Sequence, residues 1–271
     1  MTDARLKNFR AKVWRYYRQH KRDLPWRKTN DPYKILVSEI MLQQTQVDRV
    51  IPKYRQFLAA FPTARALAAA RLGEVLKHWQ GLGYNRRALL LQRAAQEITK
   101  QRSGRFPRTE SELRELPGLG PYTAAAVAAF AFNQPTVLIE TNIRTVFLHE
   151  FFRDQTNIPD TKLLPLISTT ISQRRAGEWY QALMDYGAYL KKEHGNINRR
   201  SAHYTRQSAF AGSNRQLRGL VIKALSKQPS LSLTHLKQMT KHDQRLEKTL
   251  QQLAREGFIT LPTSGHVTLC P

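Results

Sequence analysis

The sequence predicts an all-α fold that closes in a small winged helix-turn-helix-like module of three helices and a β-hairpin. Three observations carry this expectation. Apolar residues recur at spacings of three and four through the first 200 residues, long alternating runs are absent there, and two short alternating segments appear only near the C-terminal end.

The elements follow in order. After an N-terminal helix, Asp31 offers an N-cap with Pro32 at the first helical position, opening a helix to about Val50. An Ala-rich helix over 63–80 stops at Gly81-Leu82-Gly83, and another over 86–102 ends at Gly104 and Pro107. Thr109 caps a short helix over 111–116, which Pro117 and Gly118 break. Helical spacing resumes over 122–132, 141–152, 160–173 and 177–192. The stretch 191–218 then carries seven basic residues against one acidic, with Gly, Asn and Ser between, and reads as a linker or as an ordered basic loop. Helices over 215–227, 232–239 and 243–256 follow. Two strands over 258–261 and 266–269 flank a Pro-Thr-Ser-Gly turn, which is the order of a winged helix with 243–256 as its recognition or partner-binding helix.

A chain of 271 residues can bury a sizeable core, and the usual domain size suggests two compact units. Its 44 Lys and Arg against 20 Asp and Glu give a formal net charge of +24. Such an excess suits a partner rich in phosphate, because each neutralised phosphate releases counterions. Nucleic acid is thus the expected partner. No long apolar span or secretory segment is seen, so no membrane association is expected, and the chain reads as a soluble cytoplasmic monomer working near the nucleoid. The only cysteine is Cys270, which leaves no intrachain disulfide and no multi-cysteine metal site.

The most specific string is Leu116-Pro117-Gly118-Leu119-Gly120-Pro121-Tyr122-Thr123-Ala124-Ala125-Ala126-Val127. Two glycines around one apolar residue allow a tight turn whose backbone N–H groups can approach an anion, and Thr123 begins a small-residue helix with a favourable N-terminus. A DNA phosphate is the natural ligand. A second string, Pro32-Tyr33-Lys34-Ile35-Leu36-Val37-Ser38-Glu39-Ile40-Met41-Leu42-Gln43-Gln44-Thr45-Gln46, sets a carboxylate among apolar neighbours, where its pKa should rise into the range of a general acid. Gln43 follows Glu39 by one turn on the same helix face.

Together these strings resemble the helix-hairpin-helix and active-site helix of the endonuclease III superfamily of DNA glycosylases, the HhH-GPD proteins, and within it the adenine glycosylases. Pro25-Trp26-Arg27 precedes the active-site helix as in that family. The resemblance covers roughly residues 20–192. It implies a glycosylase domain over 1–192, in which a six-helix part over about 30–132 faces a second subdomain made of the N-terminal helix and 133–192, with the active site in the cleft between them. A basic linker or DNA-facing loop over 193–213 and the winged-helix-like module over 214–271 follow.

The resemblance also implies roles. Glu39 would protonate the departing purine. Glu140, where the family carries aspartate, would stabilise the sugar cation. Its extra methylene moves the carboxylate by about 1 Å, a displacement worth about a hundredfold in rate if uncompensated. Either the pocket is reshaped around it, or the substrate departs from the family norm. Gln43 and Gln44 would fill the gap left by the extruded base, and Tyr84 would wedge the minor groove or pack as a core aromatic. Gly118, Leu119, Gly120 and Thr123 would hold the backbone of one strand. Asn142 would order the carboxylate or the loop, and Arg144 would contact phosphate, unless both are plain polar residues at a helix N-terminus; Arg199 and Arg200 are candidate DNA contacts. Tyr122 stands where the lyases of the superfamily carry a Schiff-base lysine, so strand cleavage is not expected.

Most of the family bind an iron-sulfur cluster through four cysteines after the segment matching Leu183-Met184-Asp185-Tyr186-Gly187-Ala188; those thiolates are missing, so no cofactor is expected, while a structural cation at the hairpin stays open. The winged-helix-like module stands in place of the family's oxoguanine-sensing domain. The expectation is therefore a monofunctional glycosylase acting on adenine or a damaged base in mismatched duplex DNA. Two alternatives stay open: a mismatch-specific uracil or thymine glycosylase, and a non-catalytic DNA-binding protein.

Overall fold

The computed structural model describes residues 2–228, 230–261 and 265–270. Most of the Pro-Thr-Ser-Gly turn lies outside them. Fourteen helices and three short strands are described, and the chain divides into two compact units.

The first unit comprises Met1–Glu39, Pro107–Glu115 and Leu119–Arg206. Its helices are α1 (Asp3–His20), most of α2 (Pro32–Leu42), α7 (Glu110–Arg114), α8 (Pro121–Phe132), α9 (Thr141–Phe151), α10 (Asp160–Thr170) and α11 (Ala176–His194). One face of α1 supplies Phe9, Val13 and Tyr17 to a core shared with Ile143, Val146 and Phe147 of α9 and Trp179, Tyr180 and Leu183 of α11. Each such side chain contributes roughly 1.5–3 kcal/mol when fully withdrawn from water. Helix α8 buries Thr123 through Ala129 without interruption; it is apolar on every side and therefore sits inside the unit. Small residues also let helices approach. A Cβ at Gly187 of α11 would overlap the backbone of Asn142, and one at Gly177 would lie 2.7 Å from the Ala129 carbonyl oxygen.

The second unit comprises Ile40–Phe106, Leu116–Gly118 and Gln207–Pro271. It contains α3 (Val47–Ala60), α4 (Ala64–Ala69), α5 (Leu72–Trp79) and α6 (Arg86–Gln101), then α12 (Asn214–Lys227), α13 (Leu233–Met239) and α14 (Leu246–Glu256). Strands β1 (Ser230–Ser232), β2 (Ile259–Thr260) and β3 (His266–Leu269) pair antiparallel in the order β1-β3-β2, with Leu231 opposite Val267 and Ile259 opposite Leu269. The winged-helix-like module does not stand apart. Helix α12 packs on α5, Gln80 donates to the Ser226 hydroxyl, and Arg93 donates to the Glu256 carbonyl.

Three expectations about elements are corrected. The helix from Asp31 ends at Leu42, and α3 starts afresh at Val47, because Gln44 takes a left-handed φ of +53° that no helix interior accommodates. The Ala-rich helix is two helices, since Ala70 turns extended at ψ 150°. The module carries a third strand, β1, ahead of α13. Among the described residues, no helix is long and apolar enough to cross a membrane.

Candidate active site

Glu39 lies near the end of α2, flanked by buried Val37, Ile40 and Met41, and is itself only 6% exposed. Burial pushes its carboxyl up to about 7, and the nearby charge of Glu140 adds to the rise; the Tyr122 hydrogen bond and the Arg27 guanidinium pull the other way. The phenol of Tyr122, in the first turn of α8, donates to Oε2 of Glu39 at 3.1 Å. Burial lifts the Tyr122 phenol well above its ordinary value, reinforced by Glu39 and Glu140, so it stays protonated as a donor.

Glu140 is the N-cap of α9. Its Oε1 accepts from the backbone N–H of Asn142 at 2.8 Å and of Ile143 at 2.9 Å, while Oε2 accepts from Thr141 Oγ1 at 3.0 Å and Asn142 Nδ2 at 3.2 Å. Glutamate is not a favoured capping residue, yet here the longer side chain folds back onto its own helix start. Four donors and the helix N-terminus stabilise the anion there. Asn142 contacts both oxygens of this carboxylate. The first unit thus contains a protonatable acid bonded to a phenol, and a capping carboxylate whose charge acts on both.

Arg27, whose charge acts on Glu39, is itself held in place. Its guanidinium grips both oxygens of Asp185 on α11 at 2.8 Å, and Arg22 joins the same carboxylate. Burial alone would raise the Asp185 carboxyl, but the two guanidinium groups hold it below its ordinary value. The sequence carries no signal for Asp185 as a partner beyond the Trp26-Arg27 dipeptide.

The hairpin places its glycines by geometry. Gly118 has φ +81°, and a Cβ there would stand 2.6 Å from Leu90 Cβ, so only glycine fits. Gly120 is the exposed N-cap of α8 with open space around it. Leu119 and Thr123 are buried, so any contact they make with a strand runs through the backbone rather than the side chain. Arg144 is not a free cation: both arms of its fork hold Asp160, at 2.8 and 2.7 Å. Arg200 donates to the Leu148, Phe152 and Arg153 carbonyls and so closes the C-terminal end of α9. Arg199 remains exposed.

In the second unit, Gln44 is exposed and Tyr84 is half-buried at a left-handed φ of +48°. The residue that shapes both loops was not singled out from the sequence. Arg87 donates to the carbonyls of Ile40, Met41, Gln43, Leu82 and Gly83 and to the Thr45 hydroxyl, with its guanidinium 5.4 Å from the Tyr84 ring centroid. An arginine at the start of a helix gives no periodicity signal for such a role.

The basic stretch after α11 packs back on the first unit. Residues 197–200 form a 3-10 turn packed on α9, Asn198 donates to the Thr141 carbonyl and the Thr145 hydroxyl, and Ile158 pairs with Ser201. A four-thiolate cluster does not fit a sequence with a single cysteine, and Cys270 lies beyond β3. Among the described residues, no group of three or more His, Cys, Asp or Glu could hold a metal ion.

Residues 37–166 match the HhH-GPD superfamily of base excision DNA repair proteins. Adenine DNA glycosylase of Rattus norvegicus is 40% identical over 192 residues, which is 66% of this chain but only 37% of the rat protein, so this chain spans little more than a third of that relative. The adenine DNA glycosylase of Mycolicibacterium smegmatis is 35% identical and covers 78% of both chains. That of Mycobacterium tuberculosis is 30% identical over 94% of this chain and 91% of its own. Among solved structures, a thermostable thymine-DNA glycosylase superposes with a TM-score of 0.62 at 26% identity, covering 73% of this chain and 95% of its own. An endonuclease III–DNA complex, at 19% identity and a TM-score of 0.59 over 70% of this chain and 87% of its own, shares the fold. This chain belongs to the HhH-GPD superfamily of base excision DNA repair proteins, and within it to the adenine DNA glycosylase family.

Proposed function

We propose that this chain is a monofunctional adenine DNA glycosylase that hydrolyses the N-glycosidic bond of an adenine, or a related damaged base, flipped out of mismatched duplex DNA. The observation that carries the reading is the buried Glu39, pushed up to about 7 and coupled to Glu140. Adenine leaves poorly as an anion. A carboxylic acid that is substantially protonated near neutral pH can give its proton to a ring nitrogen, so that the C1′–N bond breaks to release neutral base. The sugar cation left behind needs an anion beside it, and Glu140, held by four donors, supplies one without rearrangement. Water then adds at C1′, and its proton passes to a carboxylate of the pair. Tyr122 carries no amine, so no imine forms with the sugar and the abasic strand stays intact.

Gln43, Gln44 and Tyr84 supply the groups that would enter the duplex, and the exposed turn at Gly118 and Gly120 would grip one strand through backbone N–H groups. The net charge of +24 supports a polyanionic partner. No metal or cluster takes part in this reading, which treats the enzyme as a monomer working on cytoplasmic DNA. A thymine or uracil glycosylase is the competing reading, supported by the likeness to the thermostable thymine-DNA glycosylase. Those bases leave as stabilised anions and need no acid at Glu39.

The test is a panel of duplexes, each with one mismatch or lesion, incubated with the protein and then split with or without hot alkali. Strand breaks at adenine positions that appear only after alkali support the proposal. Breaks at thymine or uracil alone, or breaks without alkali, contradict it.

A further inference from the structure

Tyr84 is gripped from outside residues 37–166, the segment that matches the HhH-GPD superfamily. Arg215, in the first turn of α12, donates from Nη1 to the Tyr84 phenolic oxygen at 2.6 Å, and its guanidinium lies 5.3 Å from the ring centroid. Its Nη2 donates to the Ser208 carbonyl at 2.7 Å, so one planar side chain joins the preceding loop to the phenol. Gln207 Nε2 donates to the same phenolic oxygen and reaches Gln44 Oε1 at 3.4 Å. A phenol oxygen has two lone pairs, and these two donors occupy them. The Tyr84 proton is thereby left to donate outward, and acceptors line the minor-groove edge of every base pair. The left-handed backbone at Tyr84 is costly for a bulky residue and persists only where surrounding groups enforce it.

We propose that Arg215 is a positioning residue for Tyr84, by which the C-terminal module sets the wedge that enters the minor groove and so sharpens the enzyme's preference for disrupted over matched duplex. This rests on the reading of the chain as a DNA glycosylase. Ordering a side chain and its loop on binding costs roughly 0.5–1.5 kcal/mol, so a wedge ordered in advance gains about two- to tenfold in affinity where it inserts and nothing where it does not. Lysine keeps the charge of Arg215 but neither stacks as a plane nor bridges two acceptors in a fixed fork.

The experiment measures Kd of the full chain for a duplex bearing one tetrahydrofuran abasic analogue and for the matched duplex of equal length. Wild type, Arg215→Ala, Arg215→Lys, Tyr84→Ala and the Tyr84→Ala/Arg215→Ala pair are compared, with melting temperature as a control for folding. Both Arg215 variants are expected to lose about two- to tenfold in the ratio of the two Kd values, with matched-duplex affinity nearly unchanged. In the Tyr84→Ala background, removing Arg215 should change the ratio little further, since a residue that acts through Tyr84 gives a non-additive pair. Equal losses on both duplexes, full retention by Arg215→Lys, an additive pair, or tighter binding of the abasic duplex by Arg215→Ala would each overturn the proposal. A wild-type ratio well above one that Arg215→Ala leaves untouched sinks this inference alone. A wild-type ratio of one sinks it together with the glycosylase reading.

Discussion

The Tyr122 hydroxyl donates a 3.1 Å hydrogen bond to Oε2 of Glu39, placing a permanent donor beside an acid that keeps its proton up to near neutral pH. That bond favours the charged carboxylate and so restrains a rise that burial would otherwise carry further. Tyr122→Phe is accordingly expected to raise the Glu39 pKa and move the alkaline limb of the base-excision pH profile upward. A limb that stays in place or moves down would show that the phenol does not act on Glu39.

Glu140 has the opposite sign. Its charge raises Glu39, so Glu140→Gln should move the same limb downward while lowering the maximal rate by about a hundredfold or more, as expected when a preorganised group facing developing charge is lost. The amide oxygen can still accept at the start of α9, and stability should change little. Glu140→Ala should lose turnover and about 1 kcal/mol of stability besides, which thermal unfolding can check. Equal activity in both variants and wild type would remove Glu140 from the reaction.

Function and stability oppose each other at Glu39. Its folded pKa of about 7 lies above the ordinary value of 4.5, so the folded state binds the proton more tightly. The stability this contributes is fully present below the unfolded value and is lost as pH rises through about 7. Glu39→Gln should therefore gain stability over wild type between about pH 5 and about pH 8, by on the order of 3 kcal/mol. Urea unfolding at the two pH values measures the gain; a difference independent of pH contradicts the assignment.

Gly187→Ala should displace the helix that carries Asn142. The added Cβ would lie within 2.7 Å of the Asn142 carbonyl carbon. A loss of roughly 1–3 kcal/mol is expected, together with lower activity, because Asn142 donates twice to Glu140. Unchanged melting and turnover would mean that α9 and α11 yield without moving the carboxylate.

Much of this was legible in the sequence, for reasons that can be stated. Capping residues and Pro/Gly breaks are local, so α7 behind Thr109 and α8 after the Pro117-Gly118 break fall within one or two residues of the expected bounds. The break after Leu42 is hidden because Gln44, not glycine, takes the left-handed conformation. The raised pKa of Glu39 follows from its apolar neighbours. What a basic side chain touches does not follow from sequence. Arg144 is spent on Asp160, Arg200 on the end of α9 and Arg87 on five carbonyls, and each partner is set by the tertiary fold rather than by the neighbouring chain.

The most direct test of proton donation by Glu39 is the single-turnover rate of adenine release from a mismatched duplex, measured against pH for wild type and Glu39→Gln. Proton donation by Glu39 requires a wild-type plateau at low pH that falls about tenfold per unit above about pH 7, and a Glu39→Gln rate lower by at least about a hundredfold. A wild-type rate independent of pH across neutrality, or Glu39→Gln turnover equal to wild type, would contradict it.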